Sequence, residues 1–428
     1  MYFKKNAHPW FRKRGYIHFD LPLSLKKAES VVTNPSMVAS HAFYPLIEYQ
    51  IKTSKLKKDA SGKLQTKEKS RTIAYAAHLD SHIYAYYAHL LYVLYEKELE
   101  KYNLTENVIA FRALNKSNIE FANDAFEDIK ARKSCSAVAL DISGFFDNLN
   151  HEYLKKMWAG LLGVDRLPSD HFNVLKSLTK FSTVNKEILF SSLNISKSNP
   201  KKDHFRLCSA SDFRNKVRAS GYISTNKEIF GIPQGSPISA LLSNIYMLNF
   251  DKQMNDAIEE LGGSYYRYCD DMLFIIPTEH RDDVEDFAMN EINHLHLKIN
   301  KDKTEKRDFW MSGDVQVCNS PLQYLGFTFD GQRKLIRSAA LARYSAKMKG
   351  GVKLAKMTMK KKNRLRALNG EDERSLYKRN LYKLYSHLGQ RNFLRYGYRA
   401  ADIMKSKSIK RQLKPLWSRL KQEIDKPI

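Results

Sequence analysis

The chain has 428 residues, of which 43% are hydrophobic, with 24 Tyr and 22 Phe. This composition excludes a disordered chain and is enough for two or three subdomains with a substantial core. The 72 Lys and Arg exceed the 46 Asp and Glu by 26 charges, which indicates a polyanionic partner. Residues 331–428 contain 28 basic and 6 acidic residues (+22), whereas residues 1–330 contain 44 and 40 (+4). The C-terminal part is therefore predicted to be a basic module.

The N-terminus and the four cysteines indicate the compartment. Residues 1–14 lack the apolar core of a signal peptide, and the longest apolar stretch, residues 84–95, is too short to cross a bilayer. The cysteines are widely spaced without a Cys-x-x-Cys pair, as in a cytosolic protein with reduced thiols and no zinc site. We therefore expect a cytoplasmic protein with no membrane partner, and the sequence leaves its oligomeric state open.

The periodicity of apolar residues predicts most of the elements. Helical spacing predicts helices over residues 23–32, 77–101, 118–132, 151–158, 238–258 and 281–295. Asn118 and Asn150 are suited to cap two of these helices, and Pro237 is suited to the first turn of a third. Alternating or short apolar runs predict strands at residues 136–141, 297–305 and 323–329 and on both sides of residues 268–271. Beyond residue 331 the chain is predicted to be helical and basic.

A lysine-rich segment near the N-terminus predicts a finger-like pair of strands. Residues 52–69 are rich in Lys around Ser61-Gly62 and lie between two apolar segments. Lys69 and Arg71 alternate with apolar neighbours on the second strand. Without further context they are either ligand-binding residues or solvated charges on a strand.

Two segments in the middle of the chain combine rigid backbone with functional side chains. The largely apolar residues 136–140 predict a buried strand that ends in Asp141, and a carboxylate at the exposed end of a core strand is a usual metal ligand. Asp147, just beyond a glycine turn, is better explained as a turn or cap residue. Residues 230–237 contain two Gly and two Pro, which predicts a rigid loop whose backbone can approach a ligand closely. Gln234 lies within this loop.

Tyr268-Cys269-Asp270-Asp271 separates two apolar, aromatic segments, which predicts a β-hairpin with both aspartates at its tip. Because Asp is a common turn former, the pair alone does not identify a site. With Asp141 at another strand end, the three carboxylates fit a palm-type sheet that holds two divalent ions roughly 3.5–4 Å apart. Mg²⁺ suits such a site, and the backbone carbonyl of Ile142 is a further candidate ligand.

The order of these segments resembles that of a reverse transcriptase. The blocks similar to that family are a fingers block at Arg71-Thr72-Ile73, motif A at 139–147, motif B at 231–237, motif C at 268–271, motif D at 297–304 and a primer grip at 324–327. The resemblance implies an α+β, right-hand polymerase fold, with fingers, a palm made of an antiparallel sheet with helices behind it, and a basic helical thumb. It also implies an N-terminal extension at 1–50, fingers and palm at 51–330 and a thumb at 331–428.

The resemblance implies a role for each candidate residue. Asp141, Asp270 and Asp271, with the carbonyl of Ile142, would hold two Mg²⁺ ions. Lys303 would protonate the pyrophosphate leaving group. The remaining roles are triphosphate binding by Lys69 and Arg71, steric exclusion of ribonucleotides by Phe146, contacts to the incoming dNTP and template by Gln234 and Gly235, and primer binding by Tyr324, Leu325 and Gly326. The basic C-terminal part would bind template–primer phosphates.

Within the family, the Phe-Phe-Asp of motif A and the Pro-Gln-Gly-Ser-Pro of motif B are similar to prokaryotic enzymes. The Val-Thr-Gly signature that is usual in retron enzymes does not occur, and neither does a Cys or His-Asn-His cluster after the primer grip. The chain most resembles the defence-associated reverse transcriptases of the bacterial unknown-group lineage, and within it the second type. That resemblance implies repeated copying of a dedicated, structured non-coding RNA into cDNA as protection against phage.

Three other functions remain open from the sequence. The first is a group II intron-like reverse transcriptase or maturase, in which the polymerase fold mainly binds RNA and assists splicing. The second is an RNA-dependent RNA polymerase, which Phe146 and the Tyr-Cys before the aspartates oppose. The third is a non-catalytic RNA-binding protein with a polymerase fold, which the presence of every expected metal ligand opposes.

Overall fold

The computed structural model describes residues 8–58, 64–201 and 205–427. The predicted turn at Ser61-Gly62 lies outside the described residues. In chain order the strands are β1 (Leu46–Lys58), β2 (Leu64–Tyr75), β3 (Cys135–Asp141), β4 (Ser182–Asn185), β5 (Ile223–Thr225), β6 (Ser264–Tyr268), β7 (Asp271–Ile276), β8 (Glu305–Ser312), β9 (Val315–Cys318), β10 (Leu322–Tyr324), β11 (Phe327–Phe329) and β12 (Lys334–Ile336).

The helices lie between and after these strands. They are α1 (Leu25–Val32), α2 (Pro35–Ala39), α3 (His78–Lys101), α4 (Asn118–Arg132), α5 (His151–Leu162), α6 (Ser169–Thr179), α7 (Lys186–Ser192), α8 (Ala210–Asp212), α9 (Ser239–Glu260), α10 (Arg281–His294), α11 (Ser338–Leu368), α12 (Lys378–Tyr385), α13 (Phe393–Ile403) and α14 (Lys407–Asp425). A π-helical turn, Phe213–Arg218, follows α8, and a 3-10 turn, Lys301–Lys303, precedes β8. Within the described part of the chain, no helix combines the length and the apolarity that a bilayer span requires.

The first of three sheets consists of β2, β1, β4 and β5, in that order. The antiparallel strands β1 and β2 extend over 13 and 12 residues, with Ile51 opposite Arg71. The prediction of two paired strands in this region is therefore confirmed. β4 runs parallel to β1, with Val184 opposite Ile47. A parallel pair needs a long crossover connection, and here the chain between β1 and β4 includes β3 of the central sheet.

The central sheet has the order β6, β7, β3, β8 and β9, with every neighbouring pair antiparallel. Both of its faces are covered. Val138 and Leu140 of β3 lie in one hydrophobic core with α3, α5 and α9, whereas Ala137 lies in a second core with α4 and the C-terminal helices. Because successive side chains of a strand point to opposite faces, a strand covered on both sides needs the continuous apolar run that residues 137–140 contain.

The third sheet is a meander of β10, β11 and β12 that joins the central region to the C-terminal helices. Leu322, Phe327 and Ile336, one from each strand, lie in the same core as side chains of α11, α13 and α14. The expected domain boundary at residues 330/331 falls inside this sheet, and the expected boundary at 50/51 falls inside β1. Within the described residues, the chain on each side of both boundaries is therefore packed together, in one sheet or one strand.

Two predicted helix starts differ from the structure. The N-cap of α4 is Ser117 and not Asn118, because the Glu120 carboxylate accepts a hydrogen bond from the Ser117 backbone N–H (2.9 Å) in a capping box. The helix α9 begins at Ser239. Pro237 therefore lies ahead of the helix and not in its first turn.

Two predicted strands also differ. Residues 297–305 form an isolated bridge between Ile299 and Ile142 and then the 3-10 turn, and β8 begins only at Glu305. Residues 323–329 lie in two strands, β10 and β11, because the chain reverses at Leu325-Gly326. Both turn residues have positive φ (44° and 95°), a conformation that glycine adopts without the steric cost of a side chain.

Buried histidines lie where the N-terminal segment packs on α3. His18 accepts a hydrogen bond at Nδ1 from the backbone N–H of Phe19 (2.9 Å), and its Nε2 has no partner among the described residues. His82 stacks on Phe11 with 4.8 Å between ring centroids. Burial lowers the pKa of His18 to about 3 and that of His82 to about 4. Both imidazoles are therefore neutral in the folded protein at pH 7.

We expect acid to destabilise the protein through these histidines. In the unfolded chain a histidine has a pKa of ~6.5, so the free energy of unfolding falls by about 1.4 kcal/mol per pH unit and per histidine as the pH drops from 6.5 towards 4. In urea unfolding, His18→Gln should lose less stability than the wild type between pH 6.5 and 5. His294→Gln, at an exposed position, is the control. An unchanged pH dependence in His18→Gln would contradict this account.

Candidate active site

The predicted hairpin is present, with Tyr268 of β6 opposite Asp271 of β7 and with Cys269 and Asp270 in the turn between them. Cys269 is buried and has a φ of 62°, in the left-handed region. Such a backbone conformation costs a non-glycine residue about 1–3 kcal/mol. The turn that presents the half-buried Asp270 and the exposed Asp271 therefore depends on support from its surroundings.

The structure brings Asp141 to the same edge of the sheet as the hairpin. Strand β3 pairs with β7 so that Asp141 is directly opposite Asp271. The next residue, Ile142, donates its backbone N–H to the carbonyl of Asp270 (3.2 Å), and the carbonyl of Asp141 accepts from the backbone N–H of Asn300 (2.7 Å). Two strand ends and one turn thus place three carboxylate-bearing residues next to one another, although 129 residues separate Asp141 from Asp270.

The three aspartates at this edge repel one another, because the positive charges near them do not fully compensate their negative charges. Desolvation and the negative charges of Asp270 and Asp141 raise the pKa of the Asp271 carboxyl to about 6. Because the side chain of Asp271 is exposed at the sheet edge, we attribute more of this rise to the two neighbouring carboxylates than to burial. Lys303 and Arg337 act in the opposite direction. A cation bound between these aspartates would relieve their mutual repulsion.

The residues at this edge fit Mg²⁺, although they are not preassembled around an ion. Within the described residues, no group of three or more His, Cys, Asp or Glu side chains forms a ready metal site. Asp141 instead contacts the ammonium group of Lys303, whose side chain is 44% exposed. Mg²⁺ keeps several waters and takes one or two protein carboxylates, so Asp141, Asp270 and the Ile142 carbonyl suffice as oxygen ligands once Lys303 moves aside.

The Gly/Pro loop packs between the turn after β3 and the first sheet. The backbone N–H of Ile232 donates to the carbonyl of Phe146 (2.9 Å), and the backbone N–H of Ala74 in β2 donates to the carbonyl of Gln234 (2.7 Å). A Cβ at Gly235, whose φ is 109°, would lie 2.6 Å from the Ala74 carbonyl oxygen. Gly235 is therefore required by close backbone approach. The Gln234 amide reaches Asp147 (3.5 Å), so Asp147 contacts the loop as well as forming its own turn.

Lys69 and Arg71 lie on β2, both exposed. No ion pair or side-chain hydrogen bond joins either of them to the three aspartates in the part of the chain that is described. Their connection to the site runs through the strand itself, since Ala74, three residues after Arg71, is hydrogen-bonded to Gln234. Their triphosphate-binding role remains a prediction.

The expected primer grip is the turn between β10 and β11. The carbonyl of Leu325 accepts from the Asn118 side chain (2.9 Å), which also bonds the hydroxyl of Tyr396 in α13 (2.9 Å). The carbonyl of Gly326 accepts from the backbone N–H of Arg337 at the start of α11 (3.1 Å). Asn118 and Arg337 were not predicted as site residues, and they connect this turn to the C-terminal helices. The buried hydroxyl of Tyr324 has no hydrogen-bond partner among the described residues.

Beneath the hairpin lies a buried ion pair that also was not among the predicted residues. Arg267 and Asp251 are both 0% exposed. The guanidinium donates two hydrogen bonds to the Asp251 carboxylate (2.6 and 2.5 Å), one to the Asn244 side chain (3.1 Å) and one to the carbonyl of Cys269 (3.1 Å). Arg267 therefore supports the strained turn from below. The sequence does contain a sign of this pair. Arg267 is at an inward-facing position of an alternating strand, and a buried arginine requires a buried partner.

This geometry defines a class of enzyme. Carboxylates at adjoining ends of antiparallel strands, beside a rigid Gly/Pro loop, are the arrangement of a metal-dependent nucleotidyltransferase. The family model described as "Reverse transcriptase (RNA-dependent DNA polymerase)" matches residues 57–329. The chain belongs to the reverse transcriptase family, and its enzyme class is RNA-directed DNA polymerase. The predicted α+β polymerase fold is thereby confirmed, and the match includes the central sheet, whereas the division into fingers, palm and a thumb of α11–α14 remains a prediction.

Other comparisons add little to this assignment. No curated protein matches the chain. Among solved structures, apo telomerase from Candida tropicalis is similar at 12% identity and a TM-score of 0.45, over 95% of this chain and 64% of that one. Telomerase from Candida albicans in complex with a fragment of telomeric RNA is similar at 12% identity and a TM-score of 0.40, over 93% of this chain and 65% of that one. The chain thus spans less than two thirds of these telomerases.

The buried pair generates a prediction that separates stability from activity. Arg267→Leu leaves Asp251 charged and unpaired and should lower the free energy of unfolding by about 3–5 kcal/mol. The double variant Arg267→Leu/Asp251→Leu should recover most of that loss, because it removes both charges. It still lacks the hydrogen bond to the Cys269 carbonyl, so its DNA synthesis should stay well below that of the wild type. Recovery of both stability and synthesis would show that Arg267 does not support the turn.

Proposed function

We propose that the protein copies a dedicated, structured non-coding RNA into cDNA by two-metal nucleotidyl transfer, in the bacterial cytoplasm, as part of a defence against phage. The observation that supports the chemistry best is the direct pairing of Asp141 with Asp271, beside the turn that contains Asp270. The RNA substrate is supported by membership in the reverse transcriptase family. The defence role is supported by the resemblance of the motifs to defence-associated enzymes.

In the proposed reaction the three aspartates and the Ile142 carbonyl would hold two Mg²⁺ ions, which would supply activation of the primer 3′-hydroxyl and neutralisation of charge on the dNTP phosphates. Lys303, exposed and in contact with Asp141, keeps the carboxylate neutralised in the absence of substrate. Released from Asp141, its ammonium group donates a proton to the departing pyrophosphate. The bridge between Ile299 and Ile142 holds the segment before Lys303 close to the aspartates.

Selection of deoxynucleotides is assigned to Phe146. Its ring is half-buried and packs on Phe145 (5.6 Å between centroids), while its carbonyl is held by Ile232 of the Gly/Pro loop. A ring fixed in this way against the sugar C2′ leaves no space for a ribonucleotide hydroxyl. Gln234 and the backbone at Gly235 line the same turn and contact the base pair being formed.

Binding of the longer nucleic acid is assigned to the fingers, the primer grip and the thumb. Lys69 and Arg71 on the exposed strand β2 bind the triphosphate. The turn at residues 324–326 positions the primer end, since it is bonded to both the palm helix α4 and the thumb. The thumb contains most of the net charge of the protein, +22 of +26, which supports salt-dependent binding of template–primer phosphates.

The central test is to express the protein in bacteria together with its flanking genomic DNA and to sequence the nucleic acid that co-purifies with it. The wild type should contain one predominant RNA together with complementary DNA. Asp270→Asn and Asp141→Asn should retain the RNA but lack the DNA, and should reduce Mg²⁺-dependent synthesis on poly(rA)–oligo(dT) by at least about a hundredfold. Asp314→Asn, at an exposed turn, is the matched control and should resemble the wild type. Near-normal synthesis by either active-site variant would refute the assignment.

The gate assignment has its own test. Phe146→Val should raise the use of ribonucleotides relative to deoxynucleotides by about tenfold or more. The smaller side chain leaves space for the 2′-hydroxyl, and one such group in a pocket changes the discrimination between substrates by about 1–3 kcal/mol. Phe145→Leu changes the neighbouring ring, which is buried in the core. It should lower thermal stability and leave the nucleotide preference unchanged. If the two variants alter the preference equally, Phe146 is not the gate.

A further inference from the structure

The fingers contain a second basic region, separate from the thumb. Residues 186–218 contain eight Lys and Arg and three Asp and Glu, a formal charge of +5. Since residues 1–330 together have a charge of +4 (44 basic, 40 acidic), the rest of that region has 36 basic and 37 acidic residues, or −1. Outside the thumb, this segment is thus one of two basic stretches, beside the lysine-rich residues 52–69. Such concentration is an electrostatic footprint of a polyanion.

The described parts of this segment, residues 186–201 and 205–218, are folded onto the first sheet. Leu189, Phe190 and Phe213 lie in a small hydrophobic core together with Ile17 of the N-terminal segment and Ile47 of β1. The backbone N–H of Leu207 donates to the carbonyl of His18 (2.8 Å). The described basic side chains of the segment therefore lie on a surface that packs against β1 and the N-terminal segment.

A pocket of about 370 Å³ opens on this surface between the end of α7 and the turn of residues 206–212. Its polar lining consists of Ser192, Asn194, Arg206, Ser209, Asp212 and Lys216. This volume is within the roughly 300–1,000 Å³ range of small-ligand sites and accommodates one nucleotide unit. Lys216 is paired with Asp212 (2.9 Å), whereas Arg206 has no ion pair among the described residues.

Next to the pocket, an aromatic ring lies almost entirely in solvent. Phe205 is 88% exposed and directly precedes Arg206. The π-helical turn adds the exposed Arg214 and Arg218 on the same segment. An exposed ring beside exposed cations is the combination by which proteins bind single-stranded nucleic acid, with a base stacked on the ring and the backbone phosphates at the cations.

We propose that this surface binds a single-stranded segment of the RNA partner, with a base on Phe205 and the adjoining phosphates at Arg206, Arg214 and Lys216. RNA is the assigned source because the RNA partner must be bound before any DNA exists. The surface is distinct from the catalytic edge, since no hydrogen bond or ion pair in the described chain joins its side chains to the three aspartates. The proposal deepens the proposed function, because it rests on the existence of an RNA partner.

The test measures binding of a fluorescent 30-nucleotide, mixed-sequence, single-stranded RNA by the full chain. For Arg206→Gln/Arg214→Gln/Lys216→Gln, the slope of log K against log salt should become shallower by about 2, because each phosphate contact contributes ~0.7. Phe205→Ala should weaken binding by about fivefold to a hundredfold, the range for one stacked base. The control, Lys26→Gln/Lys27→Gln/Lys97→Gln, removes the same charge from exposed positions in α1 and α3. It should retain the wild-type slope.

Two further readouts separate this proposal from the proposed function. DNA synthesis on poly(rA)–oligo(dT) should be close to the wild type in the triple variant, so a loss of RNA affinity without a loss of synthesis supports a separate surface. RNA containing 4-thiouridine should crosslink to the peptide spanning residues 205–218 before dNTPs are added. Salt slopes that match between the triple variant and its control, or crosslinks that form only after DNA is made, would overturn the proposal even if the enzyme is an active reverse transcriptase.

Discussion

The sheet edge with Asp141, Asp270 and Asp271 depends on one buried interaction, the ion pair of Arg267 with Asp251. A charge pair without solvent is stabilising only when its geometry is good and its remaining donors are satisfied. Here the guanidinium uses a further donor for the carbonyl of Cys269, the residue whose left-handed backbone forms the turn. The pair thus connects α9, which contains Asp251, to the tip of the hairpin. Loss of either partner would leave a buried charge as well as an unsupported turn.

A chain of backbone contacts extends this support to the rest of the active site. Strand pairing sets Asp141 against Asp271, and the Gly/Pro loop joins the turn after β3 to β2 through Ile232 and Gln234. On the other side, Asn118 joins the primer-grip turn to the thumb. Backbone hydrogen bonds and a glycine with no room for a Cβ leave little freedom to these segments. The first sheet, the central sheet and the C-terminal helices are therefore connected near the aspartates through fixed geometry, as the proposed nucleotidyl transfer requires.

Long periodic segments and short motifs were predictable from the sequence, whereas segment ends and turns were less so. The helices α3 and α4 and the strand β3 follow directly from apolar spacing. The helix cap at Ser117 was missed because two adjacent polar residues compete for the position, and the capping box with Glu120 decides between them. Residues 297–305 alternate like a strand, yet they form only the single bridge of Ile299 with Ile142, because the chain then enters the 3-10 turn Lys301–Lys303 before β8 begins.

The sequence by itself determined the family chemistry: the order of the motifs, the three aspartates, the Gly/Pro loop and a C-terminal region of high positive charge. These are properties of residue type and spacing, which local physical chemistry constrains. Only the tertiary structure decided which residues support that chemistry. Arg267 and Asp251 are 16 positions apart on different elements, and Asn118 is far from Leu325 in the chain. Residue 205 becomes part of a surface only when the first sheet and the N-terminal segment pack beneath it. Such contacts arise from the path of the whole chain, which no local pattern specifies.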